Sequence, residues 1–379
     1  MKRYLDSLKR MDWLLFGAMV GLAVGSVFFI YSASYRGPGQ TVPDFYRKQM
    51  IWFGVGLALY LAVALIDYRL ICQWAAVWYA MAIGLLILVL IVGTRIYGAR
   101  RWLGWGSFNI QPAEIAKLAV LITLSYYLFH RTPQQRRRWS TIGAALGLTL
   151  PPLGLIMLEP DLGSALVLIP IGFGLLYVAG VRARYLVVIA VLGAVLGAVG
   201  LPLAWKLKEK RTGRKSYQKE RLMVFWDPDR DPLGTGWNYN QSLIAVGSGG
   251  LKGKGYLQGT QNQLGYLPST VSRNDFLFAV IAEEKGFVGS ACVVGLYAVI
   301  LFSGLRIAAN ARDRLGMLLA TGIVAMLFFH VFINVGMTIG LMPVTGLPLP
   351  LLSYGGSFVL ASMTALGLLQ NVWIHRRVY

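Results

Sequence analysis

Stretches of about 20 consecutive apolar residues recur along this chain, and they leave it few ways to fold. Trp13–Ala33, Met50–Ile66, Leu70–Val92 and Tyr185–Ala204 each reach or approach the length that crosses a hydrocarbon core. An unpaired backbone amide in lipid costs several kcal/mol, so each of these stretches has to be helical. Composition agrees, since 56% of the 379 residues are apolar and only 14% are charged, against about a quarter charged in soluble domains. The expected fold class is all-α: a polytopic membrane protein of about ten transmembrane helices, one domain over 1–379 with a large extracytoplasmic loop at 206–275.

The crossings fall near 12–34, 49–66, 70–93, 112–129, 141–158, 162–179, 185–205, 276–304, 315–340 and 355–373. The first is too long, and too poor in small-residue cleavage sites, for a removable signal peptide. Alternate loops then separate by charge. One set carries Lys2, Arg3, Lys9, Arg10, Arg69, Arg131, Arg136–Arg138, Arg182, Arg184, Arg306, Arg312, Arg314, Arg376 and Arg377. The other short loops carry Arg36, Arg47, Lys48, Arg95, Arg100 and Arg101. The positive-inside rule makes the first set cytoplasmic, with both termini on that side of the membrane. The 206–275 loop is basic at its start, with Lys206, Lys208, Lys210, Arg211, Arg214, Lys215 and Lys219. Loops of that length translocate largely regardless of charge. Its aromatic and glycine content reads as an ordered subdomain, while its basic run reads equally well as a lipid-hugging patch. The net charge of +20 is a matter of membrane topology, so no nucleic-acid partner is expected.

Cys72 and Cys292 lie apart in apolar runs, and His130, His330 and His375 are scattered, which supports neither a disulfide framework nor a zinc site; ordinary buried thiols and histidines are the reading taken. Asp227-x-Asp229-x-Asp231 lacks the glycine and glutamate of a calcium loop, and Gly247–Gly255 lacks the setting of a nucleotide loop. Gly193-x-x-x-Gly197 is expected to pack within the bundle, with a partner helix as the alternative. No repeat of 20–50 residues is present to suggest a repeat-built transporter.

Polar residues at or just inside the membrane gather toward the outer side: Arg47 and Lys48 at one helix start, Arg100 and Arg101 in a loop, Glu159 and Asp161 around Pro160, and Asp275 before the eighth crossing. Glu114 and Lys117 follow Pro112 and share a helix face. Alone, they read as a helix-stabilising ion pair. Intramembrane charge is costly, however, and arrival from several crossings at one depth points to a polar cavity open to the outside. Glu283, Glu284 and Lys285 stand either above the membrane or in that cavity.

Several of these stretches resemble the signatures of the SEDS (shape, elongation, division and sporulation) family. The matching stretches are Arg100-Arg101-Trp102 running into Gln111-Pro112-Ala113-Glu114-Ile115-Ala116-Lys117, Glu159-Pro160-Asp161-Leu162-Gly163-Ser164, the Gln241-Ser242 to Gly255 segment, and Gly336 to Ser357. Asp275-Phe276-Leu277-Phe278-Ala279-Val280-Ile281-Ala282-Glu283-Glu284 is similar to the segment bearing the family's essential aspartate, and its alanine before the glutamates resembles the RodA-like elongation branch. Two departures stand out: the Ser269–Asn274 stretch before Asp275, and Phe358 where a serine is usual.

The resemblance implies a peptidoglycan glycosyltransferase that polymerises lipid II into β-1,4 glycan strands during cell elongation, with Asp275 as catalytic general base. The implied substrate-binding residues are Arg47, Lys48, Arg101, Glu114, Lys117, Asp161, Gln241, Ser242 and Ser357. No cofactor is required by the resemblance; a divalent cation, Mg or Mn, is the one considered, with Asp161 and Asp275 as candidate metal ligands. Implied partners are lipid II, membrane lipid and a class B penicillin-binding protein. The rival expectation is a lipid II flippase using the same cavity, and a third is a noncatalytic scaffold for cell-wall enzymes.

Overall fold

The computed structural model describes residues 9–96, 99–105, 108–136, 138–212, 217–232 and 234–376. Lys2, Arg3, Arg137, Arg214, Lys215 and Arg377, which enter the charge pattern above, lie outside the described residues. The chain runs α1 (Trp13–Ser34), α2 (Phe45–Leu65), α3 (Tyr68–Gln73), α4 (Ala75–Val92), β1 (Thr94–Ile96), β2 (Ala99–Trp105) and β3 (Phe108–Ile110). It continues through α5 (Pro112–Phe129), α6 (Pro133–Arg136), α7 (Trp139–Leu158), α8 (Leu162–Val178), α9 (Ala183–Thr212), α10 (Tyr217–Trp226) and α11 (Thr235–Ser248). The remainder is α12 (Thr260–Gln263), α13 (Ser269–Ser272), α14 (Leu277–Ala309), α15 (Arg314–Thr338) and α16 (Gly356–Ile374).

Among the described residues nine helices are long and apolar enough to cross a membrane, and α8 is a tenth apolar helix of 17 residues. Each of the ten expected crossings falls on one of them. Several start where a side chain can satisfy the free N–H groups of a first turn. Asp12 accepts from Leu14 and Leu15 at the head of α1, Asp161 from Ser164 at the head of α8, and Asp313 from Gly316 at the head of α15. Pro112 opens α5, where its missing N–H costs nothing.

Helices α5, α15 and α16 are mostly buried and form the centre, while α4 and α9 present apolar side chains outward, as a lipid-facing helix must. Helix α2 lies along α16, joined by the Tyr60 hydroxyl donating to Gln370 Oε1 at 3.1 Å. Two caps double as ties: Asp313 pairs with Arg69 at 2.5 Å, and Asp12 pairs with Arg306.

Four features differ from the sequence expectation. Strands β1, β2 and β3 form a small antiparallel sheet in the order β1-β2-β3, with Thr94 opposite Trp102 and Leu103 opposite Ile110. The seventh crossing runs on to Thr212, so Lys206 and Lys210 ride a helix rather than open a loop. A side chain added at Gly193 or Gly197 would meet nothing within 4 Å, so these glycines do not pack within the bundle.

Helix α14 carries the largest departure. It is broken at Gly286, whose φ of 63° and ψ of −159° leave the helical region. The glycine-rich segment after α11 fills the break. Lys254 and Gly255 donate their N–H groups to the carbonyls of Glu283 and Glu284, both at 3.0 Å, and Phe287 and Val288 donate to Gly250 and Leu251 at 2.9 and 3.2 Å. Backbone meets backbone so closely that a Cβ at Gly253 would fall on the Glu284 carbonyl. Glu283 and Glu284 therefore face protein. Glu283 Oε1 accepts from Lys254 Nζ at 2.7 Å, Thr260 Oγ1 at 3.0 Å and the Gln261 amide at 3.1 Å, while Glu284 accepts from Ser32.

Candidate functional site

Asp275 sits between α13 and α14, and its backbone is bolted in place from two sides. Its N–H donates to Val271 O at 3.1 Å, and its carbonyl accepts from Asn334 Nδ2 on α15 at 2.8 Å. Asn334 also donates to Leu347 O at 2.6 Å. One residue back, Ser353 Oγ donates to Asn274 O at 2.5 Å, and Tyr354 N donates to Arg273 O at 3.0 Å. The 345–354 segment before α16 is thereby fastened along the backbone of residues 273–275.

The carboxyl itself stands against Gly346, at φ 77°, where an added Cβ would lie 3.3 Å from Asp275 Oδ2 and directly on the Arg221 guanidinium. Arg221, from α10, donates to Thr345 O at 2.8 Å and so has its charge beside the carboxyl. Burial pushes the Asp275 carboxyl above its ordinary range; Arg221 and Arg101 oppose that shift, and the nearby Asp161 charge adds to it.

Arg101, from β2, reaches the turn between α7 and α8. It donates to Glu159 O at 3.0 Å and to Pro160 O. Both Glu159 carboxyl oxygens are buried without a hydrogen-bond partner, and burial, helped by the Asp161 charge, pushes this acid up to about 8 against the pull of Arg101. Asp161 is well served instead: Oδ1 accepts from Ser164 N at 3.1 Å, and Oδ2 from Ser164 Oγ at 3.0 Å and Gln111 Nε2 at 2.8 Å.

Deeper in, Lys117 Nζ lies 2.9 Å from Glu114 Oε1 and 2.8 Å from His330 Nε2, and all three side chains are buried. Beside them is a cavity of about 10 Å³ lined by residues including Glu114, His330, Pro350, Phe358 and Ser362, room for about one water. Phe358, the departure from the family pattern, packs its ring 5.5 Å from that of His330 and 5.8 Å from Lys117 Nζ.

Of the residues singled out by sequence, Asp275 comes within electrostatic reach of Arg101 and Asp161, Asp161 of Glu114, and Glu114 pairs with Lys117. Arg47 and Lys48 stay on the surface, Arg47 held by Asp44 at 3.3 Å and by the Tyr46 hydroxyl. Ser242 donates to Thr338 O at 3.0 Å, a helix-to-helix tie, and Gln241 is buried on the same helix. Ser357 is buried at the start of α16 with its hydroxyl unpartnered. Arg221, Gln111 and His330 were not singled out as site residues. No group of three or more His, Cys, Asp or Glu side chains able to hold a metal occurs among the described residues. Asp161 Oδ1 accepts one hydrogen bond and Oδ2 two, so a divalent cation there would share these oxygens with Ser164 and Gln111.

The family model for the FtsW/RodA/SpoVE group, described as cell cycle protein, matches residues 12–378. This chain belongs to that family. The chain is similar to peptidoglycan glycosyltransferase MrdB of Escherichia coli K12, 38% identical over 95% of this chain and 92% of that one. It is also similar to peptidoglycan glycosyltransferase RodA of Treponema pallidum, 34% identical over 95% of this chain and 97% of that relative. Among solved structures, one described as structural coordination of polymerization and crosslinking by a peptidoglycan synthase complex superposes with a TM-score of 0.79. It is 32% identical over 97% of this chain and 98% of the other. The family fold is thus the polytopic helical bundle described above, and the RodA-like branch is the one this chain resembles.

Proposed function

We propose that this protein is a peptidoglycan glycosyltransferase of cell elongation that polymerises lipid II, with Asp275 as its general base. The observation that carries the reading is the half-buried Asp275 carboxyl, held by its backbone and within charge range of Arg221 and Arg101. Full-length similarity to glycosyltransferases of this name supports the activity.

The chemistry follows from what the bond requires. The 4-hydroxyl oxygen of a GlcNAc attacks the anomeric carbon of a MurNAc, and the bond from that carbon to the pyrophosphate oxygen breaks. The leaving undecaprenyl pyrophosphate takes the bonding pair, the anomeric centre inverts to a β-1,4 link, and the hydroxyl proton passes to Asp275. Desolvation makes that carboxylate a stronger base than a free aspartate, which is what a sugar hydroxyl demands. Arg221 and Arg101 supply positive charge for the departing phosphates, arginine offering two parallel donors. Arg47 and Lys48, exposed at the head of α2, suit first capture of the anionic head group. Asp161, held by Gln111, lies within charge range of Asp275, and Glu114 with Lys117 lies within range of Asp161; Gln241, Ser242 and Ser357 complete the proposed substrate-binding set.

The charge pattern of the loops supports cytoplasmic termini in the inner membrane, which puts Asp275 on the outer side where lipid II presents its sugars. Likeness to a synthase that couples polymerisation to crosslinking supports a class B penicillin-binding protein as partner.

The test is gel analysis of glycan products from labelled lipid II, using purified protein with its partner. Wild type should build strands, and Asp275→Ala should lose them while still inserting and folding. Lipid II scrambling in liposomes that survives Asp275→Ala, without any strand synthesis by the wild type, would replace this reading with a flippase.

A further inference from the structure

His330 lies in the middle of α15 with 2% of its surface exposed, and the proposed chemistry does not use it. Its two ring nitrogens meet opposite kinds of neighbour. Nδ1 is 2.8 Å from the Met326 carbonyl oxygen, one turn back. A carbonyl only accepts, so Nδ1 must carry the proton. Nε2 is 2.8 Å from Lys117 Nζ on α5. An ammonium only donates, so Nε2 must be bare. The two contacts together specify one species, a neutral imidazole protonated at Nδ1.

Lys117 has three N–H groups to place in a dry interior. One goes to Glu114 Oε1 at 2.9 Å, a second to His330 Nε2, and the ring face of Phe358 lies on a further side at 5.8 Å. A buried ion pair holds its geometry only when its remaining donors are also met. Among the described residues lining this corner, the charged ones are Glu114 and Lys117 from α5, while α16 and the segment before it bring Phe358, Ser362 and Pro350. Glu114 is in turn within electrostatic reach of Asp161, and Asp161 of Asp275.

We propose that His330 is a positioning residue which, as the Nδ1–H tautomer, accepts one Lys117 N–H and so holds the lysine charge against Glu114, behind Asp161 and Asp275. The proposal rests on the glycosyltransferase reading above. With the acceptor gone, Lys117 loses a fixed direction, and the Glu114 charge is no longer neutralised at a fixed point behind the carboxylates. The reacting groups would still bind substrate, but the field around Asp275 would be spread over several arrangements.

Two measurements decide it. First, strand synthesis from labelled lipid II is followed for wild type, His330→Gln, His330→Phe and Asp275→Asn, with thermal melting of each in detergent. Gln keeps an acceptor at similar reach, and Phe keeps the ring's bulk without one. His330→Phe should lower kcat about tenfold or more with little change in KM, and His330→Gln should recover most of it. Equal damage by Gln and Phe, or full activity with Phe, overturns the proposal. Second, the protein labelled with ¹⁵N-histidine is examined in bilayers by solid-state NMR. The chain has three histidines, and the signal missing from His330→Gln assigns the one of interest. A protonated Nδ1 with a bare, hydrogen-bonded Nε2 supports the proposal; a protonated Nε2 overturns it, even if no variant folds well enough for kinetics. An inactive wild type instead overturns the glycosyltransferase reading, an active Asp275→Asn overturns the general-base role of Asp275, and the NMR result still decides the tautomer.

Discussion

Arg221 and Asp275 meet across Gly346, a residue with no side chain to part them. The arginine comes from α10, inside the long segment between α9 and α14, and the aspartate from the end of that same segment. This places a fixed positive charge beside the proposed base. Arg221→Ala should therefore act on leaving-group departure more than on folding, and lower kcat/KM for lipid II polymerisation by about 10²-fold. Arg221→Lys should recover only part of it, since lysine lacks the forked donor geometry. Initial rates against lipid II concentration check this; an unchanged rate in Arg221→Ala removes Arg221 from the site.

The pH dependence of strand synthesis should show an acid limb set by Asp275. Its carboxyl is shifted upward by burial, and the base works only when deprotonated. Activity should fall, as pH is lowered, at a pH above the usual carboxylate range. An acid limb at or below about pH 4 would mean an unperturbed carboxylate and count against this role.

Glu159 makes a stability prediction of definite sign. Its folded value of about 8 lies above the ordinary 4.5. The folded protein thus holds this proton more tightly than the unfolded chain does. The associated stability is fully present below about pH 4.5 and is lost as pH rises toward 8. Glu159→Gln keeps the neutral shape and should remove that loss, raising the melting temperature near pH 8 relative to wild type and leaving it little changed near pH 4. Melting curves in detergent at the two pH values check it, and equal effects at both would contradict the assignment.

Lys254 and Glu283 form a 2.7 Å ion pair whose acid is almost wholly buried. Lys254→Met strands that carboxylate and should cost about 3–5 kcal/mol. Adding Glu283→Gln should return much of the loss, because a neutral amide needs no counter-charge. A thermal-stability cycle over the four proteins measures the coupling, and additive effects would deny it.

Gly286→Ala should be among the most damaging single changes in the chain. The residue's φ is 63°, and a Cβ there would fall on Gly253 N and the Leu251 carbonyl. Strain and collision together should cost several kcal/mol, read as lost yield of folded protein and a lower melting temperature. A well-folded Gly286→Ala would show that the break is not needed.

How much of this was legible from the residues depended on how their partners are spaced. The crossings were plain, because lipid demands long apolar helices whatever they pack against. Asp275, Asp161, Glu114 and Lys117 stood out for a related reason: a charge among apolar neighbours advertises its cost. His330 gave no such signal, since a lone histidine is chemically ordinary until Lys117, 213 residues earlier, is seen to touch it. Arg221 was one basic residue among many in a segment taken for a loop, and only the fold turns it toward Asp275. The break in α14 left more trace. Three ionisable residues and a glycine interrupt an apolar run, and the glycine-rich stretch ending at Gly255 had no other use. What could not be read was that each explains the other.

The elbow at Gly286 has a mechanical meaning for the site. Four amide groups cross between the glycine-rich segment and the two halves of α14. Bending that joint would cost all four at once, so it behaves as a welded bracket rather than a hinge. Asp275 hangs two residues from the end of one arm. Whatever lids or partners shift around it, its carboxyl has a fixed mount against which two bulky lipid-borne sugars can be brought into line.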